Sequence, residues 1–167
     1  MSPSAKAIRK LYLLRHAEAA YGAPGVGDHD RPLAERGRRQ AVAVGQVLAT
    51  KDLEMVLCST AARAVETAQV AKLPLALIKK PDLYEASAMR IRAVVARIPE
   101  YVTKVLVIAH SPGIPDLVRT LADADSDAAA REAIRYTFPP GSLAGLEFAG
   151  SWTDLHKARL FLAQKAA

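Results

Sequence analysis

The chain has one cysteine, Cys58, in 167 residues, which rules out an internal disulfide and leaves a thiolate metal cluster without ligands. Its neighbours in Met55-Val-Leu-Cys58 are apolar, the setting of a buried structural thiol rather than a nucleophile. Aromatic residues are scarce at 5%. Basic residues are scattered, and no zinc-finger or RNA-recognition signature accompanies them, so nucleic acid is not the expected partner. The formal charge of +6 still favours an anionic partner. Long apolar runs are missing as well: nothing approaches the ~20 residues of a membrane span. Lys6, Arg9 and Lys10 are followed by only a short apolar run before Arg15, too little for a signal-peptide core. A cytoplasmic protein without a membrane segment is expected.

The glycines make no nucleotide motif. In Gly22 to Gly27, Asp28 and His29 stand where a phosphate-binding loop needs Lys and Ser or Thr. Gly25-Val-Gly27 lacks the third glycine of the dinucleotide fingerprint. Three adjacent residues, Asp28-His29-Asp30, cannot all converge on one ion from an extended loop, so this stretch reads as a solvated loop rather than a metal site.

What is present is an alternation of short apolar runs and helical stripes. Residues 1–9 read as a flexible arm, and 10–167 as a single domain. A buried strand from about Lys10 to Leu14 ends in Arg15-His16. A helix follows Arg31-Pro-Leu33, with Gly37, Ala41, Val44, Gly45 and Leu48 on one face and Arg36, Arg38 and Arg39 on the other. Glu54–Cys58 is the second strand, and Ser59-Thr60 are candidate caps for a helix carrying Arg63 in its first turn. A third strand lies near 75–78, and Ser87 caps a helix with Ile91, Val94, Val95 and Ile98 on one face. Lys104 to Ala109 is the clearest strand, ending in His110-Ser-Pro-Gly113. Two further strands lie near 143–148 and 159–163. This order predicts an α/β fold: a three-layer α/β/α sandwich around a mostly parallel sheet.

In such a sheet, residues just past the carboxyl ends of strands line the ligand crevice. Two of the four histidines, His16 and His110, occupy that position. Arg63 opens a helix, where a cation opposes the helix dipole unless an anion sits beside it. A neutral imidazole beside fixed guanidinium groups suits attack on a phosphoryl group. Glu85, on a loop between strand and helix, is either a general acid or an ordinary loop carboxylate. A phosphate-binding module without turnover would keep the arginines but would not need His16.

The chain resembles the histidine phosphatase superfamily, with its phosphoglycerate-mutase-like fold. The likeness rests on Leu-Arg15-His16-Ala-Glu, Arg31-Pro-Leu with Arg36-Gly-Arg-Arg-Gln-Ala, Ser-Thr-Ala-Ala-Arg63-Ala-Val-Glu-Thr-Ala, and Val-Ile-Ala-His110-Ser-Pro-Gly, in that order. The resemblance implies a phosphatase with His16 as the phosphorylated nucleophile, Arg15, Arg63 and His110 as the phosphate pocket, and no metal or other cofactor. Within the superfamily it is most similar to short SixA-type phosphohistidine phosphatases, which implies Arg31 as a further phosphoryl ligand and a phosphohistidine-bearing protein as substrate. Two departures stand out: Ala34 where Ser or Thr is usual, and Ser111 where Asn is common, a candidate substrate contact. The alternative is a phosphatase for a small phosphorylated metabolite, with Glu85 protonating the departing oxygen.

Overall fold

Helices and strands alternate along the computed structural model, which describes residues 6–166. The elements are β1 (Ile8–Arg15), α1 (Glu35–Leu48), β2 (Met55–Ser59), α2 (Ala62–Val70), β3 (Leu77–Lys80), α3 (Ala88–Val95), β4 (Lys104–Ala109), α4 (Gly113–Leu121), α5 (Ala128–Ala133), β5 (Leu143–Ala149) and β6 (Arg159–Gln164). The strands form one sheet in the order β3-β2-β4-β1-β5-β6. The first four are mutually parallel, and β5 runs against both of its neighbours. The fold is the expected α/β/α sandwich.

Alternation along the strands builds the two cores. Leu11 and Leu13 of β1, with Val105 and Val107 of β4, face Ile91 and Val95 of α3, Ile114 and Leu117 of α4, and Ala130 of α5. Tyr12 and Leu14, with Leu106 and Ile108, face the other way onto Val44 and Leu48 of α1 and Ala64 and Ala68 of α2. Buried aliphatic side chains of this kind each cost about 2–5 kcal/mol when cut back to alanine. The central strands are apolar on both faces because both faces are covered.

Topology then fixes where a ligand can enter. After β1 the chain departs to α1 on one face, and after β4 to α4 on the other. Because β1 and β4 are neighbours, the diverging connections open a crevice at their carboxyl ends. Gly37 closes α1 against the start of that crevice, since a Cβ there would stand 2.1 Å from the Glu18 carbonyl oxygen. The expected apolar stripe of α1 is buried, and Arg36, Arg38 and Arg39 are exposed.

Several boundaries differ from the sequence reading. β1 begins at Ile8, so Ile8 and Arg9 belong to the sheet and not to the expected arm; residues 1–5 of that arm lie outside the described residues. Arg9 is buried because its Nη2 donates to the Glu100 carbonyl and carboxylate at 2.7 Å each and its Nη1 to the Gly150 carbonyl. β3 lies two residues later than predicted, at a sheet edge where Lys79 and Lys80 stay exposed and no buried pattern marks the register. Ser87 caps α3 as expected, accepting from the Arg90 N–H at 3.2 Å. Ser59 and Thr60 do not cap α2, whose N-cap is Ala61; the Ser59 hydroxyl meets His110 and the Thr60 hydroxyl meets His29 instead.

Candidate active site

The crevice at the ends of β1 and β4 has a volume of about 340 Å³ and is lined by Arg15, His16, Arg31, Arg63, Glu85, His110 and Ser111, with Glu18 and Asp28 beside them. All seven residues singled out from the sequence therefore meet in one place. A larger cleft of about 550 Å³ between Arg119 and Arg131 contains no histidine. Chemistry, not volume, distinguishes the site.

His16 is the residue after β1, buried on its short link to the next loop. Its Nδ1 lies 2.7 Å from the Ala17 carbonyl oxygen. A carbonyl only accepts, so Nδ1 carries the proton and Nε2 keeps its lone pair. Arg63 Nε donates to that Nε2 at 3.3 Å. Burial holds the His16 imidazole far below the usual histidine range, down to about 4; the Ala17 carbonyl opposes this, and the positive charges of Arg63, Arg15 and Arg31 add to it. At neutral pH the ring is uncharged.

His110 ends β4, and its ring centroid lies 5.0 Å from that of His16. Burial, followed by the neighbouring His16 and Arg63, lowers it to about 3. The buried Ser59 Oγ accepts from the Ala61 N–H at 3.3 Å and meets His110 Nε2 at 2.8 Å. With the Ser59 hydroxyl donating to Nε2, the imidazole proton sits on Nδ1. That Nδ1 is buried without a hydrogen-bond partner, and so is Arg15 Nε. The rest of the Arg15 guanidinium is anchored through Nη1 to the Phe138 carbonyl at 2.9 Å. Two buried donors left open within one crevice suit an oxyanion, whose lone pairs would satisfy both.

One reading from sequence needs correction. Asp28 is not simply part of a solvated loop. Its carboxylate accepts from Tyr84 Oη at 2.5 Å, Arg31 Nη1 at 3.1 Å and Arg63 Nη2 at 3.2 Å. The Tyr84 hydroxyl, Arg31 and Arg63 together hold the carboxyl down at about 2, despite an opposing contribution from desolvation. Asp28 places a carboxylate beside the cation in the first turn of α2. His29 lies 2.8 Å from Thr60 Oγ1 through its Nε2. Among the described residues no group of three or more His, Cys, Asp or Glu is arranged to hold a metal ion. Tyr84 lies in no motif, and Ser59, expected as a helix cap, lies at the start of the Arg63 motif; the tertiary fold brings both to His110. Glu85 has a left-handed backbone, φ 52°, and an exposed side chain at the crevice edge. Ser111 is exposed at the same edge and precedes a cis peptide bond to Pro112.

The stretch that carries Arg15, His16, Arg31, Arg63 and Glu85 coincides with a family pattern. Residues 11–100 match the histidine phosphatase superfamily, branch 1. Uncharacterized protein Rv1276c of Mycobacterium tuberculosis (strain ATCC 25618 / H37Rv) is 37% identical over 145 residues, covering 85% of this chain and 91% of that protein. A structure from Nakamurella multipartitia, provisionally named phosphohistidine phosphatase SixA, is 35% identical, with a TM-score of 0.87 over 98% of this chain and 99% of the other. The protein histidine phosphatase SixA complexed with tungstate shares the fold, with a TM-score of 0.74 at 22% identity over 93% of this chain and 96% of that one. Two imidazoles and a set of guanidinium groups around one crevice, on this sheet and with these relatives, belong together: the chain is a member of the histidine phosphatase superfamily, branch 1, and a phosphatase.

Proposed function

We propose that the protein removes phosphoryl groups from phosphohistidine in another protein, through a phosphohistidine intermediate on His16. The observation that carries the reading is the His16 tautomer: Nδ1 is tied to the Ala17 carbonyl, so Nε2 carries the lone pair, which accepts from Arg63 Nε at 3.3 Å. Nε2 attacks phosphorus in line with the leaving group. The new N–P bond forms as the old bond to phosphorus breaks, and its electron pair departs with the leaving group. Arg15, Arg31, Arg63 and the Nδ1–H of His110 hold the equatorial oxygens as charge redistributes. Water then attacks the phosphorylated His16, releasing inorganic phosphate and restoring the imidazole.

The leaving group decides the substrate class. An imidazole departs with less need of protonation than an alkoxide. The crevice is open to solvent on one side, which admits a phosphorylated side chain presented by a partner. A 35% identical relative bearing the SixA name points the same way. A cytoplasmic location belongs to this proposal.

A second reading has one observation in its favour: Glu85 lines the crevice and can act as an acid on an alkoxide leaving group. A Mycolicibacterium vanbaalenii relative named glucosyl-3-phosphoglycerate phosphatase is 38% identical, over only 63 residues and 36% of this chain. The Glu85→Gln variant separates the two. Assayed on a phosphohistidine-bearing protein and on small phosphate esters, it retains phosphohistidine turnover under the preferred reading. Collapse of the physiologically faster activity, with that activity directed at an ester, would favour the metabolite.

A further inference from the structure

We infer that Asp28 is a positioning residue for this reaction, setting the Arg63 guanidinium against His16; the inference rests on His16 as nucleophile. Arg63 offers two edges of a rigid plane. Nη1 donates to the Asp28 backbone carbonyl at 2.8 Å, and Nη2 donates to the same residue's carboxylate at 3.2 Å. A planar guanidinium held at two nitrogens has no freedom left at the third. That third nitrogen, Nε, faces His16 Nε2 at 3.3 Å. The direction of Arg63 toward the reacting nitrogen is thus set by Asp28.

Asp28 is itself held from two further sides. The Tyr84 hydroxyl donates to its Oδ2 at 2.5 Å, and Arg31 Nη1 donates to Oδ1 at 3.1 Å. The Tyr84 ring stands edge-on to the His110 ring at 5.6 Å between centroids and lies 5.9 Å from the Arg63 guanidinium carbon. Three separate segments are therefore tied at one carboxylate: the loop after β1, the first turn of α2, and the loop after β3. The tie spans 56 residues between Asp28 and Tyr84.

Charge makes the assignment testable. A carboxylate beside an oxyanion pocket repels the substrate's phosphoryl group, so affinity gives no reason for it to be there. Its contribution must lie in orientation, which acts on the chemical step. Removing it is expected to lower kcat without raising KM.

The test uses the full chain with p-nitrophenyl phosphate as substrate and inorganic phosphate as competing inhibitor. Asp28→Ala is expected to lose kcat by on the order of 10²-fold, with KM and the phosphate inhibition constant unchanged or lower. Both variants keep the backbone acceptor, and Asp28→Asn keeps one side-chain oxygen besides, so its kcat falls between parent and alanine variant. Because Asp28 acts through Arg63, adding Asp28→Ala to Arg63→Ala changes kcat by no more than about twofold. Asp28 is half-exposed, and the near-isosteric asparagine variant with the double-variant cycle carries the test if the alanine chain folds poorly. An unchanged or raised kcat in both single variants would overturn the assignment, and so would a full further loss in the Arg63→Ala background. If His16→Ala retains parental hydrolysis, the nucleophile reading falls first and this one with it. That result is separate from parental activity lost at His16 but untouched at Asp28.

Discussion

To attack phosphorus a histidine has to be uncharged, and the site keeps His16 so by burial, aided by the positive charges of Arg63, Arg15 and Arg31. Burial places it at about 4 and His110 at about 3, against about 6.5 for histidine in an unfolded chain. The consequence for stability has a definite sign. Between pH 6.5 and about 4 the unfolded chain takes up protons that the folded one refuses, so stability falls as pH drops through that window. The urea midpoint is expected to decline from pH 7 to pH 4. In ¹⁵N NMR both rings stay neutral and protonated at Nδ1 at pH 5.5; a titration midpoint near 6.5 for His16 would contradict the account. At this scale the sequence was informative where chemistry and strand ends coincide. Arg15-His16 and His110 each terminate an apolar run, and the pattern shows without coordinates. Asp28, Ser59 and Tyr84 left no such mark, because their partners lie 35, 51 and 56 residues away. A polar residue in a glycine-rich loop looks solvated until the fold supplies its cations.

Elements place these side chains with little tolerance. The Glu18 carbonyl accepts from the Ala34 N–H at 2.9 Å, and the Glu18 N–H donates to Gln40 Oε1 at 2.9 Å, which fixes the segment just after His16 against α1. Gly37 permits that approach. Gly37→Ala would drive a methyl group into the Glu18 carbonyl, and overpacking of this kind costs about 1–3 kcal/mol. Gly45→Ala meets the Ala71 carbonyl at 2.3 Å, a comparable clash, but on a residue that does not line the crevice. Both variants are expected to melt earlier. Only Gly37→Ala should also lose kcat/KM in its folded fraction, measured below the transition. Equal kcat/KM in the two variants would show that the Glu18 segment does not transmit strain to His16. The helical faces of α1, α3 and α4 were legible because one side of each is buried and the other wet. The register of β3 was not, because an edge strand with Lys79 and Lys80 on it buries little. The expected caps of α2 fail for a different reason: His110 and His29, distant in sequence, take the Ser59 and Thr60 hydroxyls.

The whole molecule is a sheet whose strand order turns around between β1 and β4, and the reaction site is a product of that turn. Sequence alternation was enough for the layers, because apolar runs covered on both faces allow few other arrangements. Strand order was not written locally; β5 joins the sheet by antiparallel pairing with β1, and β6 by antiparallel pairing with β5, and no motif announces either. The cleft has His16 and His110 at its floor and Asp28, Tyr84 and Glu85 around its rim, so recognition and chemistry come from distant stretches of chain. The most direct test of the central claim is to mix the enzyme with a phosphorylated substrate, quench rapidly into alkali, and map the retained phosphoryl group by mass spectrometry. The account predicts an acid-labile phosphoryl group on His16, formed within the first turnover and absent from His16→Ala. A phosphoryl group carried on any other residue, or rapid turnover with none trapped on the enzyme, would contradict it.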